Sequence, residues 1–390
     1  MKILFYISRF PGWGGIETVT EIIGNALLKV GCSVAILTHQ QQERSSTLQQ
    51  NVKIFVMPDE KKWESDLNKC YAIDVVKNVN PDVIIYQDCY ANNEDVLFSM
   101  KSAAPKAKIV VCEHNTPLYK KQTLKASKKV FFIHEVYRRI YSWPRQLRSV
   151  RRRHIELLQQ CDRYVLLSKE FIPELLTVCN INASHPLASK VCFINNPVNN
   201  QNSSIVNWEE KENIILFVGQ INNQKRVDIM LDIWEKHIIE SYPNWKFLII
   251  GDGPEKKYIE KLIDNRNIKG VQLKGYAEPT EYYRKAKLFW MTSIYEGWGM
   301  TLLEAMALGC VPIVMNTFSS IHDIIINKIN GCLIPEGDLK GFAQTTESLM
   351  VNHYQYRQCA LEAINSVQYF SIDRIIKDWL NLIEGLNVNN

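Results

Sequence analysis

Short runs of β-branched and aromatic residues alternate along the chain with stretches whose apolar positions recur every three or four residues. In the first half the runs are KILFYI (2–7), SVAIL (33–37), VKIFV (52–56), DVIIY (82–86), KIVVC (108–112), KVFFI (129–133) and RYVLL (163–167). In the second half they are NIILFVG (213–219), KFLIIG (246–251), VQLKG (271–275), LFWMT (288–292) and VPIVM (311–315). Runs that are apolar throughout, separated by amphipathic helices, are the α/β pattern of parallel sheets covered on both faces. Between the two halves, residues 195–212 are rich in Asn, Ser and charge and read as a linker. After it the strand, polar loop, helix order starts again. The spacing therefore predicts two Rossmann-like domains in tandem, 1–198 and 205–370. It also predicts a terminal helix over 371–388, opened by Ser371 as N-cap, with Ile372, Ile375, Ile376, Trp379, Leu380 and Ile383 on one face.

Chemistry concentrates in SIYEGWGMTLLEAMALG (293–309). Glu296 lies in the loop before Gly297 and Gly299. Glu304 falls about one turn into a helix whose Leu302, Leu303, Met306 and Ala307 point to a core. The free amides at such a helix start, near Gly299, Met300 and Thr301, favour a phosphate. The flanking carboxylates are apt acceptors for sugar hydroxyls, Glu304 for a ribose and Glu296 for a second sugar. The bland alternative is that Glu304 complements the helix dipole and Glu296 is a solvated loop acid. With 26 Glu in the chain, the spacing of this pair alone decides nothing.

Four further loops follow predicted strands, where ligands of open parallel sheets bind. Gly12, Gly14 and Gly15 precede a helix as a phosphate-cradling turn does, but Glu17 stands where a dinucleotide fingerprint needs its third glycine. GDGPEK (251–256) fails in the same way at Lys256, so a nicotinamide enzyme loses its main support. Lys225, in VGQINNQKRVD, is placed to reach a diphosphate or simply to be solvated. His114, in KIVVCEHNT, is either structural or a ligand contact, with Glu113 and Asn115 weaker candidates beside it.

Bulk properties narrow the class. With 390 residues, 46% hydrophobic and 22% charged, the chain is expected to be globular, and no apolar run approaches the roughly 18 residues of a membrane span. MKILFYISRF reads as a first strand rather than a signal peptide. Ten cysteines without a Cys-x-x-Cys pair, several in apolar runs (Cys32, Cys112, Cys192, Cys310), suit buried thiols in a reducing, cytoplasmic compartment. The net charge of +5 conceals a basic segment, 120–153, with twelve Lys/Arg against Glu135 alone. Aromatic residues interleave there, from Tyr119 to Trp143, which suits an anionic membrane surface on the inner face of the cytoplasmic membrane. A solvated helical face with a buried KVFFI strand fits equally, and nothing else supports nucleic acid. No Asp-x-Asp and no His/Cys cluster of ligand spacing occurs, so neither metal nor other cofactor is expected.

EAMALGCVPIV (304–314), preceded eight residues upstream by Glu296, resembles the signature of the retaining glycosyltransferases of family 4. The resemblance extends over nearly the whole chain and is strongest over 214–335. It implies the GT-B fold: two Rossmann-like domains facing a cleft, the first binding an acceptor and the second a nucleotide sugar, with the C-terminal helix crossing back to the first. It implies donor contacts through Glu296 and Glu304, a diphosphate contact through Lys225, and a nucleobase seat at Gly275 and Tyr276. Gly14, Gly15, Ile16 and Glu17 match a loop across from the donor, and His114 matches a histidine near the sugar. The family commonly has an Arg where this chain has Gln220, leaving Arg226 as the candidate second cation. The implied reaction moves a sugar, a UDP-hexose or UDP-N-acetylhexosamine being the family's usual donor, to a glycan or lipid-linked acceptor of a bacterial surface polysaccharide or lipopolysaccharide. A sugar-nucleotide epimerase or hydrolase, and a non-catalytic subunit of a polysaccharide assembly complex, remain the alternatives.

Overall fold

The computed structural model describes residues 1–12, 14–48, 52–87, 93–119, 143–198 and 206–387. Most of the basic segment, 120–142, and with it KVFFI, lies outside the described residues. Among the described residues, 1–118, 143–197 and 372–387 form one unit, and 119, 198 and 206–371 another.

The first unit is built on a parallel sheet of order β3-β2-β1-β4-β5-β6-β7. The strands are β1 (Lys2–Arg9), β2 (Ser33–Gln40), β3 (Lys53–Val56), β4 (Val83–Tyr86), β5 (Lys108–Glu113), β6 (Arg163–Leu166) and β7 (Val191–Phe193). Between them run α1 (Gly15–Lys29), α2 (Asp66–Val79), α3 (Glu94–Ala103), α4 (Trp143–Gln160) and α5 (Phe171–Cys179). β1, β2 and β4 are buried on both faces, as continuous apolar runs require.

The second unit has the order β10-β9-β8-β11-β12-β13, again parallel. Its strands are β8 (Glu212–Val218), β9 (Lys246–Ile250), β10 (Val271–Gly275), β11 (Ala286–Met291), β12 (Val311–Asn316) and β13 (Cys332–Pro335). The helices are α6 (Val227–Ile233), α7 (Lys256–Arg266), α8 (Thr280–Lys285), α9 (Met300–Ala307), α10 (Ile321–Ile324), α11 (Leu339–Val351) and α12 (His353–Val367). The core is dominated by aromatic rings: Phe247 packs on Trp234 and Trp290, with centroids 5.9 and 5.3 Å away. Because α9 buries Leu302, Leu303, Ala305 and Met306 completely, its position and that of Glu304 are fixed by packing.

The glycines of GDGPEK have a structural use. A Cβ on Gly251, whose φ is +146°, would overlap the Gly219 carbonyl, and one on Gly253 would meet the Ile221 backbone. The Gly219 amide donates to Ile250 O (3.0 Å), and the Ile221 amide to Asp252 O (2.9 Å). The close approach lets the loops after β8 and β9 pack backbone to backbone.

The C-terminal helix, α13 (Ile372–Asn387), belongs to the first unit and packs on α1. It buries Ile375, Ile376, Trp379 and Ile383, while Ile372 and Leu380 are half-buried at its margin. The cysteine reading needs correction. Cys112 and Cys310 are buried, but Cys32 and Cys192 are only half-buried. Cys32 and Cys310 also sit one residue ahead of β2 and β12 rather than inside them, because those runs begin in the preceding turns.

Candidate active site

In the second unit, β8 and β11 are sheet neighbours although β9 and β10 separate them in sequence. That order brings the loop after β8, with Lys225, against the loop after β11, with Glu296. Lys225 Nζ lies 2.5 Å from Glu296 Oε1, and the two side chains are only 15% and 9% exposed. Gln224 joins the loops as well. Its Nε2 donates to Tyr295 O (2.7 Å), and its carbonyl accepts from the Ile294 amide (2.8 Å). The Thr292 hydroxyl donates to the carbonyls of Lys225 and Arg226, both at 3.0 Å. Thr317 donates to Ser293 O. The Lys–Glu pair is therefore held by backbone contacts on both sides and needs little ordering on ligand binding.

Glu296 leads directly into α9. Trp298, 2% exposed, packs edge-on against Phe370 with centroids 5.4 Å apart, anchoring the loop. Gly299, at φ +93°, makes the left-handed turn that starts the helix. Helical hydrogen bonding begins with Leu302 N to Gly299 O (3.0 Å), so the earlier amides, of Met300 and Thr301, precede the ladder. Within α9, Glu304 Oε2 accepts from the Tyr283 hydroxyl of α8 at 3.1 Å. Desolvation raises the carboxyl pKa of Glu304; the Tyr283 hydrogen bond opposes this and the nearby Glu278 charge adds to it.

Gly275 closes β10 after a register slip at Leu273, and its carbonyl accepts from the Gly251 amide at 2.7 Å. Tyr276 follows and is 66% exposed. Arg226 caps α6 in a left-handed conformation with Nε 3.5 Å from Asp228 Oδ1, so its charge is shared with that acid. Gln220 Oε1 accepts from Asn222 Nδ2 at 3.0 Å. Lys225, Arg226, Gly275, Tyr276, Glu296, Gly299, Met300, Thr301 and Glu304 thus belong to one unit, and the loops after β8, β9, β10 and β11 lie at the carboxyl edge of its sheet.

Gly14, Gly15 and His114 belong to the first unit, at the carboxyl edge of its sheet. Gly14 caps α1 and Gly15 opens it. His114 follows β5 and its Nε2 lies 2.5 Å from Gln87 Oε1. Burial pushes the His114 pKa down to about 4. Glu113 is fully buried and turned away, accepting from the Tyr164 hydroxyl at 2.9 Å. Asn115 Oδ1 accepts from the Thr116 amide at 2.9 Å.

Sequence reasoning did not find Tyr283, Gln224, Thr292 or a buried lysine, Lys211. Lys211 Nζ donates to Tyr283 O (3.0 Å), Ala286 O (2.7 Å) and Leu308 O (2.7 Å), tying the carboxyl ends of α8 and α9 together. It thereby sets the two helices that carry Tyr283 and Glu304. Only the lysine's place just ahead of an apolar strand was visible in sequence.

Over 391 aligned residues the chain is 21% identical to an uncharacterized glycosyltransferase of Haemophilus influenzae, covering 98% of this chain and 99% of that one. Over 212 residues it is 30% identical to a lipopolysaccharide 1,6-galactosyltransferase of Escherichia coli, covering 52% of this chain and 56% of that enzyme. Its fold is similar to that of Anabaena HepE, solved in complex with UDP and glucose, with a TM-score of 0.77 at 15% identity over 99% of this chain and 100% of that one. The paired parallel sheets are those of the GT-B fold. Among the described residues no helix is long and apolar enough to cross a membrane. The family description Glycosyltransferase Family 4 matches residues 13–201, and Glycosyl transferases group 1 matches 198–365. These two stretches together take in almost the entire chain, which belongs to the family 4 glycosyltransferases, the glycosyl transferases group 1.

Proposed function

We propose that the protein is a retaining, metal-independent hexosyltransferase that moves a hexose or N-acetylhexosamine from a UDP-sugar to a glycan or lipid-linked acceptor in the cytoplasm. The observation that carries the reading is the preformed Lys225–Glu296 pair beside the start of α9. The second unit, 205–370, holds the donor; the first, 1–198 with 371–388, holds the acceptor. Glu304 takes the ribose, and Gly275 with Tyr276 seats the base. Lys225 and the amides of Gly299, Met300 and Thr301 stabilise the charge that develops on the diphosphate as the bond to the sugar lengthens. Arg226 adds a second, weaker cation. Glu296 holds the donor sugar and, through its ion pair, keeps Lys225 aimed. His114 contributes a sugar contact, and Gly14 with Gly15 lets the backbone of the first unit approach the ligand.

The lipopolysaccharide relative and the fold neighbour holding UDP and glucose support a UDP-sugar and a surface-polysaccharide acceptor. Incubation of the protein with UDP-hexoses and UDP-N-acetylhexosamines in EDTA, with and without glycan acceptor, tests the reaction. An acceptor-dependent product whose new linkage keeps the donor's anomeric configuration is expected. Sugar release or epimerisation without acceptor would mark a hydrolase or epimerase, and no turnover would mark a non-catalytic subunit.

A peripheral seat on anionic membrane is part of the proposal. On α4, Arg145 and Arg148 are exposed, whereas Arg152 is paired with Glu156 (2.7 Å), Arg153 with Glu94 (3.0 Å) and Arg151 with Val178 O (2.9 Å). Sedimentation with phosphatidylglycerol liposomes is expected to fall as salt rises; binding independent of lipid charge and salt would contradict it.

A further inference from the structure

Gln87 follows β4 and His114 follows β5, and these strands are neighbours in the first sheet. Tyr86 pairs with Val111, so alternation of side chains along the strands puts Gln87 and His114 on the same face. Their side chains meet, with His114 Nε2 2.5 Å from Gln87 Oε1. A carbonyl oxygen only accepts, so Nε2 carries the proton; a neutral imidazole has one N–H, which leaves Nδ1 as a bare acceptor. Burial keeps the ring neutral, its pKa pushed down to about 4. The adjacent acid is otherwise engaged: Glu113 accepts from Tyr164 and lies 3.8 Å from His154. Among the described residues, the enclosed atoms His114 Nδ1 and Gln87 Nε2 have no hydrogen-bond partner, and Gln87 is 1% exposed.

Two unmatched polar atoms on one tightly held pair are the mark of a place completed by something else. We infer that Gln87 is a positioning residue that locks His114 as the Nε2–H tautomer, so that Nδ1 accepts from a ligand hydroxyl and rejects an anionic oxygen. A lone pair can pair only with a proton donor, and a phosphate or carboxylate oxygen in that place meets repulsion from Nδ1. The neighbouring Gln87 Nε2 supplies a donor, so the pair suits a polyol. The identification of that hydroxyl with a sugar rests on the transferase reading above; the tautomer does not.

Long-range proton–nitrogen spectra of the full-length protein labelled in its histidine rings, recorded at neutral pH without ligand, read the tautomer directly. The His114 signal is assigned by its loss in His114→Gln. A wild-type ring protonated at Nε2, and a mixture of tautomers in Gln87→Leu, are the expected results. A ring protonated at Nδ1, or a tautomer unaffected in folded Gln87→Leu, would overturn the inference. Inorganic pyrophosphate is expected to leave the Nδ1 resonance in place, and a shift on its addition would overturn the exclusion of anions. None of these readings needs turnover, so their failure is distinct from failure of the transferase assignment.

Discussion

Lys225→Ala is expected to lower kcat by about 100- to 1000-fold, the scale seen when a preorganised charge aimed at a developing anion is removed. Two effects combine. The leaving diphosphate would lose the cation proposed to face it, and Glu296, its side chain 9% exposed, would lose the ammonium 2.5 Å away and stay behind as a poorly solvated carboxylate. Glu296→Gln in the same background separates them. If the loss comes from diphosphate stabilisation, Lys225→Ala/Glu296→Gln turns over no faster than Lys225→Ala. If it comes from the stranded carboxylate, the double variant recovers. Steady-state kinetics with a UDP-sugar decide between these, and wild-type turnover in Lys225→Ala would remove the lysine from the mechanism.

Lys211→Met is expected to destabilise the second unit by about 2–4 kcal/mol, the cost of taking a charged donor from buried backbone carbonyls. The carbonyls of Tyr283, Ala286 and Leu308 would lose their common donor, and only the weakly donating Cys310 thiol would remain beside the first two. Burial lowers the lysine pKa, so some desolvation penalty is relieved on substitution, but methionine offers the carbonyls nothing in return. Thermal unfolding is expected to shift down by about 10 °C. Because the same ammonium sets the ends of α8 and α9, nucleotide affinity is expected to weaken too. A Tm within a degree or two of wild type would show that water replaces Lys211 at little cost.

Central strands were legible because their burial on both faces leaves unbroken apolar runs. β13 was not, since it is a four-residue strand at a sheet edge with no such run, and β7, a three-residue edge strand, showed only as the apolar run around Cys192. In the site, Glu296, Glu304 and Lys225 stood out through resemblance to a family, not through any local rule. Their partners were invisible, because Lys225 meets Glu296 across 71 residues and Tyr283 meets Glu304 across 21, distances set by sheet order and helix packing. The glycines of GDGPEK illustrate the converse. They were read for a cofactor motif, and they serve a close contact between loops whose adjacency only the sheet reveals.

The claim on which the rest depends is that the second unit holds a nucleotide through Lys225, the start of α9 and Glu304. Calorimetric titration with UDP, GDP and ADP in EDTA, on wild type and Glu304→Ala, tests it most directly. Binding of one nucleotide is expected, weakened in Glu304→Ala by about 10- to 100-fold, as loss of a hydrogen bond to a charged acceptor implies. The fold should stay intact, with the unfolding temperature lowered by a few degrees because the buried Tyr283 hydroxyl loses its acceptor. No binding of any nucleotide, or an affinity that ignores the loss of Glu304, would contradict the account.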